Sequence, residues 1–261
     1  MRKLKLIIGT ILMFILTACG LKEKLPNAQI DDSLQKISRT ELNNIMNKKI
    51  IFGHQSVGGN ILSGLELIGE QDNKLKFNII QDPDFSKLNI GVLGHFKCGL
   101  NKEPYSKIKD FKDKIENNYG GKVDIAFMKF CYIDIFEDTD IEMLFSEYTN
   151  MLDSLENKFP EIIFIHVTIP LRVHENKKNI LRHQYNEMLR KKYSGIEPIF
   201  DIAQVESTKP DGDKVLFKWE GEQYPKLYKG YASDAGHLNK PGQWYAAKEL
   251  ILTLNNVVNE K

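Results

Sequence analysis

Apolar residues recur along this chain at two alternating periods. Ser38-Arg39-Thr40-Glu41 has capping-box spacing, and Leu42, Ile45 and Met46 follow at helical intervals, predicting a short helix. The run from Lys49 to Gly53, with Ile50-Ile51-Phe52 at its centre, predicts a first strand. After a serine-bearing turn, Ile61, Leu62, Leu65 and Ile68 return to helical spacing, and a second strand is expected near Phe77 to Gln81. The stretch from Asp82 to Glu103 is irregular and glycine-containing. Pro104 opens a helix with Ile108, Phe111 and Ile115 on one face.

Val123 to Phe130 predicts a third strand, and Ile141, Leu144, Phe145, Tyr148, Leu152 and Leu155 mark an amphipathic helix. The continuous apolar run in Glu161 to Ile169 is of the kind buried on both faces of a parallel sheet. A helix over Lys177 to Lys192, a fifth strand over Glu197 to Ile202 and a last helix from Pro241 to Asn255 complete the order. Strands alternating with helices imply an α/β domain with a parallel sheet covered on both sides. Ligands of such folds sit at the carboxyl ends of the strands. Ser56, Cys131, Arg172 and Asp201 all lie just past a predicted strand end, so one sheet edge collects them.

The first 18 residues stand apart. Arg2, Lys3 and Lys5 precede an apolar run, Leu6 to Ala18, too short to span a bilayer and suited to a signal-peptide core. Leu16-Thr17-Ala18-Cys19 resembles a bacterial lipobox, which makes Cys19 the expected lipidation point, against an ordinary signal peptide with a chance cysteine. The chain then divides into a leader over 1–18, an anchor and tether over 19–37 and one domain over 38–261. A membrane-anchored, extracytoplasmic lipoprotein is expected, held to the membrane by its N-terminal lipid only. Lys and Arg number 36 against 35 Asp and Glu, with no basic block after the leader, which excludes nucleic acid as an expected partner.

Two islands carry candidate chemistry. Gly53-His54-Gln55-Ser56-Val57-Gly58-Gly59-Asn60 sets Ser56 at a strand-to-helix turn, where the helix N-terminus favours developing negative charge. The alternative is a serine that merely caps the helix. Asp234-Ala235-Gly236-His237 lets a carboxylate hold Nδ1–H of the imidazole while Nε2 faces outward, as a general base requires. The alternative is a loop pair that caps the last helix.

Taken together, the islands resemble the SGNH (GDSL-like) hydrolase superfamily, which places its serine after the first strand and ends in Asp-x-x-His before the last helix. The resemblance covers Lys49 to Leu254. It implies a three-layer α/β/α sandwich with a central, mostly parallel five-stranded, flavodoxin-like sheet. It also implies an acyl-enzyme mechanism with Ser56 as nucleophile, His237 as base and Asp234 as orienting acid. The family's Gly-Asp-Ser is here Gly53-His54-Gln55-Ser56. Its oxyanion glycine is best matched by Gly99, with Gly94 a poorer candidate. Its Gly-x-Asn-Asp is replaced by Lys129-Phe130-Cys131-Tyr132-Ile133-Asp134, without the asparagine that completes the oxyanion hole. Asn101 or the Tyr132 hydroxyl is the expected substitute. If Gly99 and the loop after the third strand both line that hole, Cys98 and Cys131 are neighbours, and a disulfide between them is expected in an exported protein. Two separate buried thiols are the alternative.

The remaining candidates are less committed. His54 contacts substrate or packs on the turn. Arg172 and His174 bind a carboxylate or sugar hydroxyls, or are solvated loop residues. Asp201 lacks a histidine at short spacing and is read as structural. His95 and His166 show no ligand pattern, so no metal and no cofactor are expected. Ala203 to Ala232, with Phe217, Trp219, Tyr224, Tyr228 and Tyr231, is a lid, a specificity wall or a satellite packing cluster. The expected activity is a serine esterase cleaving O-acyl esters, O-acetyl carbohydrate included. The rivals are an O-acyltransferase working through the same serine and an inactive surface-binding lipoprotein of the same fold.

Overall fold

A computed structural model describes residues 32–259. The leader, Cys19 and the start of the tether lie outside the described residues. Helix α1 (Asp32–Gln35) precedes α2 (Arg39–Met46), which starts on the expected capping box: the Glu41 amide donates to Ser38 Oγ, and the Ser38 amide donates to the Glu41 carboxylate. Leu34 and Ile37 are buried in the core. The domain therefore begins ahead of Ser38, inside the segment assigned to the tether.

Strand β1 (Lys49–His54) runs into α3 (Ser56–Gln71), followed by β2 (Ile79–Gln81) and β3 (Val92–Lys97). Next come α4 (Pro104–Lys114), β4 (Ile125–Met128), α5 (Ile141–Lys158), β5 (Ile163–Phe164) and β6 (His166–Val167). The chain continues through α6 (Lys177–Tyr193), β7 (Ile199–Phe200) and α7 (Ile202–Glu206). It then forms the hairpin β8 (Leu216–Trp219) and β9 (Glu222–Pro225), and ends in α8 (Lys240–Asn259).

The central sheet is parallel, in the order β2-β3-β1-β4-β5, and a parallel β6-β7 pair extends it. The Ile165 amide donates to the Ala126 carbonyl between β5 and β6, so Glu161 to Ile169 is one extended run read in two pieces. Alternation along β1 sends Ile50 and Phe52 to one face and Ile51 to the other. The first face packs on α2, α3 and α8 through Ile61, Leu65, Trp244 and Ala247; the second packs on α4, α5 and α6 through Phe111, Leu144 and Tyr185. This is the three-layer α/β/α sandwich.

Two expectations are corrected. Asp82 to Glu103 is not irregular throughout, because β3 lies inside it and pairs with β1 from Lys49↔Val92 to His54↔Lys97. Cys98 and Cys131 are free, buried thiols and not a disulfide. They follow β3 and β4, and β1 runs between those strands. With a strand between the two they follow, the thiols are held apart in the core.

Candidate active site

Three strand ends and the loop before α8 meet at one edge of the sheet. Gln55, not Ser56, is the cap of α3, so Ser56 is the first helical residue and its hydroxyl is free of any capping role. The Gln55 carboxamide donates to the Cys98 carbonyl at 3.3 Å and the Gly99 carbonyl at 2.7 Å, fixing the Ser56 turn to the loop after β3. Beneath the turn lies His54, only 1% exposed. Its Nδ1 lies 2.7 Å from the Gln55 carbonyl, an acceptor only, so Nδ1 carries the proton and Nε2 accepts from His95 Nδ1 at 3.1 Å. Burial pushes the His54 imidazole down to about 3, which keeps it neutral. His54 thus packs beneath the turn and is not presented at the surface. Gly58 has to be glycine there, because a methyl on it would overlap the His54 Cβ and ring.

The other half of the site is local. Asp234 Oδ1 accepts the Gly236 and His237 amides, both at 2.8 Å, and Oδ2 accepts His237 Nδ1–H at 2.6 Å. The His237 and Gly236 amides and the imidazole hold this carboxylate at about 2, so it is ionised at neutral pH. With Nδ1 protonated, His237 Nε2 accepts the Ser56 hydroxyl at 2.9 Å. Asn60 joins the two islands, its Oδ1 accepting the Leu238 amide at 3.1 Å. The line Asp234–His237–Ser56 is continuous, and it is open to solvent: Ser56 is exposed, and the Asp234 and His237 side chains are 56% and 32% exposed.

The predicted oxyanion residues separate. The Gly99 amide donates to Asp110 Oδ2 at 2.8 Å, which commits the donor the family pattern assigns to it. Asn101 is drawn toward a buried ion pair, its Oδ1 accepting from Lys107 at 3.3 Å. Neither is joined to the triad. Tyr132 is: its hydroxyl stands 3.4 Å from both ring nitrogens of His237, and the rings meet edge-on at 5.6 Å. Burial, with Asp234 close by, raises the Tyr132 phenol above its ordinary range, so it stays a protonated donor. Gly236 makes room for it, since a Cβ there would lie 2.6 Å from the Tyr132 ring.

Arg172 is part of this edge. Its Nε donates to the Ala235 carbonyl at 3.4 Å, and its guanidinium lies 5.3 Å from the centre of the Tyr132 ring. Asp201 caps α7 and pairs with Arg190 at 2.7 Å, away from His237. His166 is buried between Tyr148 and Glu197.

Sequence reasoning missed the supports. Buried Arg182 donates twice to the Tyr132 carbonyl, at 2.9 and 2.6 Å, and once to Asn179 Oδ1 at 2.7 Å. The signal was there in Asn179, Arg182 and Asn186, polar residues at helical spacing on the buried face of α6. Lys107 is the second case: it shares the face of Ile108, Phe111 and Ile115 and pairs, fully buried, with Asp134 at 2.5 Å.

No protein-family model matches the chain, and no curated protein matches it either. Solved structures do. A Bacteroides fragilis protein named as an acylhydrolase superposes with a TM-score of 0.53 at 13% identity, over 90% of this chain and 100% of that one. A Parabacteroides merdae protein named as a GDSL-like lipase gives 0.50 at 10% identity, over 80% and 96%. The fold is the SGNH hydrolase fold. A Streptococcus pneumoniae protein named as a platelet activating factor shares it, with a TM-score of 0.51 at 16% identity over 85% and 95% of the two chains. At these identities the likeness is one of fold. Set beside the SGNH pattern, this chain has the serine, the Asp-x-x-His and a glycine at the first oxyanion position whose amide is taken by Asp110, and it lacks the asparagine of the second.

Proposed function

We propose that this chain is a serine hydrolase of O-acyl esters. The observation that carries the proposal is the unbroken line from Asp234 through His237 to the Ser56 hydroxyl. In this reading His237 Nε2 takes the Ser56 proton as Oγ attacks the acyl carbon. It returns that proton to the leaving alkoxide, and the C–O bond breaks to leave an acyl-Ser56. A water, deprotonated by the same nitrogen, then releases the acid. Negative charge on the carbonyl oxygen is met by the first amides of α3, which no earlier helical turn uses, and by the Tyr132 hydroxyl. Asp234 holds the ring and its tautomer.

The exposure of Ser56 and Asp234 supports an ester carried on a large substrate, such as an acylated carbohydrate, over a small molecule swallowed whole. With the leader and Cys19, the proposal extends to an enzyme tethered at the membrane surface outside the cytoplasm. The test is labelling by a fluorophosphonate together with turnover of 4-nitrophenyl acetate. Both are expected in the wild type, and Ser56→Ala should lose labelling and at least ~10⁴-fold in kcat. Wild-type protein that neither labels nor turns over an ester would instead support a binding protein that kept the fold.

A further inference from the structure

Three cations gather around the loop Lys129 to Tyr132, and among the described residues none of them is in an ion pair with a carboxylate. Arg182, 1% exposed, spends its hydrogen bonds on the Tyr132 carbonyl and the Asn179 carboxamide. Lys129, also 1% exposed, donates to the Phe130 carbonyl at 3.1 Å and lies 3.6 Å from Cys131 Sγ. Arg172, half-buried at the surface above them, gives only its Nε to the Ala235 carbonyl. Among the described residues, its two terminal nitrogens have no protein acceptor. The nearby acids are engaged elsewhere: Asp234 is saturated by two amides and the imidazole, Asp134 is paired with Lys107, and Glu206 accepts the Leu171 amide from within the core.

A planar guanidinium lying over a ring, with its outer fork open, suits bidentate recognition of a carboxylate. Its position also says which part of a substrate it meets. Arg172 lies over the Tyr132 ring, 5.3 Å from its centre, and Tyr132 stands against His237, the group that in the proposed mechanism protonates the departing alkoxide. From these observations, and resting on the hydrolase reading above, we propose that Arg172 binds a carboxylate on the alcohol part of the ester, so that the natural substrate is an acylated hydroxy acid such as an acylated sugar acid.

The test uses matched acetyl esters that differ only in that charge: 3- and 4-acetoxybenzoate and their methyl esters. The quantity read is the ratio of kcat/KM for acid and methyl ester, compared between the wild type and Arg172→Gln. This comparison cancels the intrinsic reactivity of the two leaving groups and any general loss of activity in the variant. Arg172→Gln should lower the ratio roughly 10-fold, chiefly through KM for the acid, with partial recovery in Arg172→Lys. An equal fall for both esters would make Arg172 a clamp on the Ala235 loop and overturn the proposal. Failure of the hydrolase reading has a separate signature, absence of turnover and of fluorophosphonate labelling in the wild type. In that event calorimetric binding of 4-acetoxybenzoate, lost in Arg172→Gln, still supports the carboxylate site, and binding unchanged by the substitution refutes it.

Discussion

The Lys107–Asp134 pair gives the sharpest stability prediction. Both side chains are fully buried at 2.5 Å, and Asp134 also accepts the Lys102 amide at 2.9 Å and the Cys131 amide at 2.6 Å. One carboxylate thus ties the loop after β3 to the loop after β4, the two walls beside Ser56. Asp134→Asn leaves a buried ammonium with only Asn101 Oδ1 at 3.3 Å, and one amide loses its acceptor. This belongs at the upper end of the ~3–5 kcal/mol cost of breaking a buried pair. Lys107→Met leaves a carboxylate that keeps two amide donors, and belongs near the lower end, about 3 kcal/mol. At ~2–4 °C per kcal/mol for a domain of this size, Tm falls by about 10–20 °C in Asp134→Asn and about 6–12 °C in Lys107→Met. Urea unfolding of both single variants and of the double variant measures the rest. The double variant should cost well under the sum of the singles, by at least ~2 kcal/mol, because it removes both charges together. Fluorophosphonate labelling of Ser56 should slow in the singles, as the walls loosen. Singles that each cost under ~1 kcal/mol, or that add without coupling, would refute the reasoning, since a pair behaving so is effectively solvated.

Three further outcomes follow from the same contacts. Gly58→Ala should cost about 1–3 kcal/mol in urea unfolding and depress acetate-ester turnover, because the new methyl drives His54 out from under the Ser56 turn. His54 has a folded pKa of about 3, below its unfolded value near 6.5, so its contribution to stability is complete above about pH 6.5 and is lost as pH falls toward 3. Thermal unfolding across that range should therefore show a pH slope that is smaller in His54→Gln. Dithiothreitol should leave Tm unchanged, and both thiols should react with a maleimide only after unfolding, whereas loss of a Cys98–Cys131 disulfide would cost about 3–4 kcal/mol.

The hydrogen-bonded line of Asp234, His237 and Ser56 was legible because each half is a local motif. Asp234 and His237 meet across three residues, and Ser56 needs only a strand before it and a helix after it. Strand β3 was hidden for a physical reason: Gly94, His95 and Lys97 interrupt its apolar pattern, although Val92, Leu93 and Phe96 are buried. Missing it concealed the sheet order, and with it the fact that β1 separates the two cysteines. The oxyanion candidates went astray on a longer-range effect. Whether the Gly99 amide is open depends on Asp110, a helical residue 11 positions away whose side chain returns to the loop. Lys107 and Arg182 were overlooked because polar residues in helices usually face water, yet both fall in register with a buried apolar face.

These supports account for how an exposed site is held in order. A cleft can keep its catalytic groups in place by packing, but Ser56 and Asp234 stand in solvent and have little packed against them. The constraint comes instead from below and behind. His54 fills the space under the turn, Gln55 bonds it to the neighbouring loop, Asp134 joins the two walls, and Arg182 grips the carbonyl of the residue whose hydroxyl meets the imidazole. Each is buried or half-buried, so each bond is stronger than its counterpart in water and costly to leave unmade. The polar groups that fix the geometry are therefore separate from the exposed surface around Ser56. On the hydrolase reading proposed above, an ester borne on a large molecule would reach Ser56 from solvent directly, and the supports beneath it would hold Ser56, His237 and Asp234 in the same order throughout.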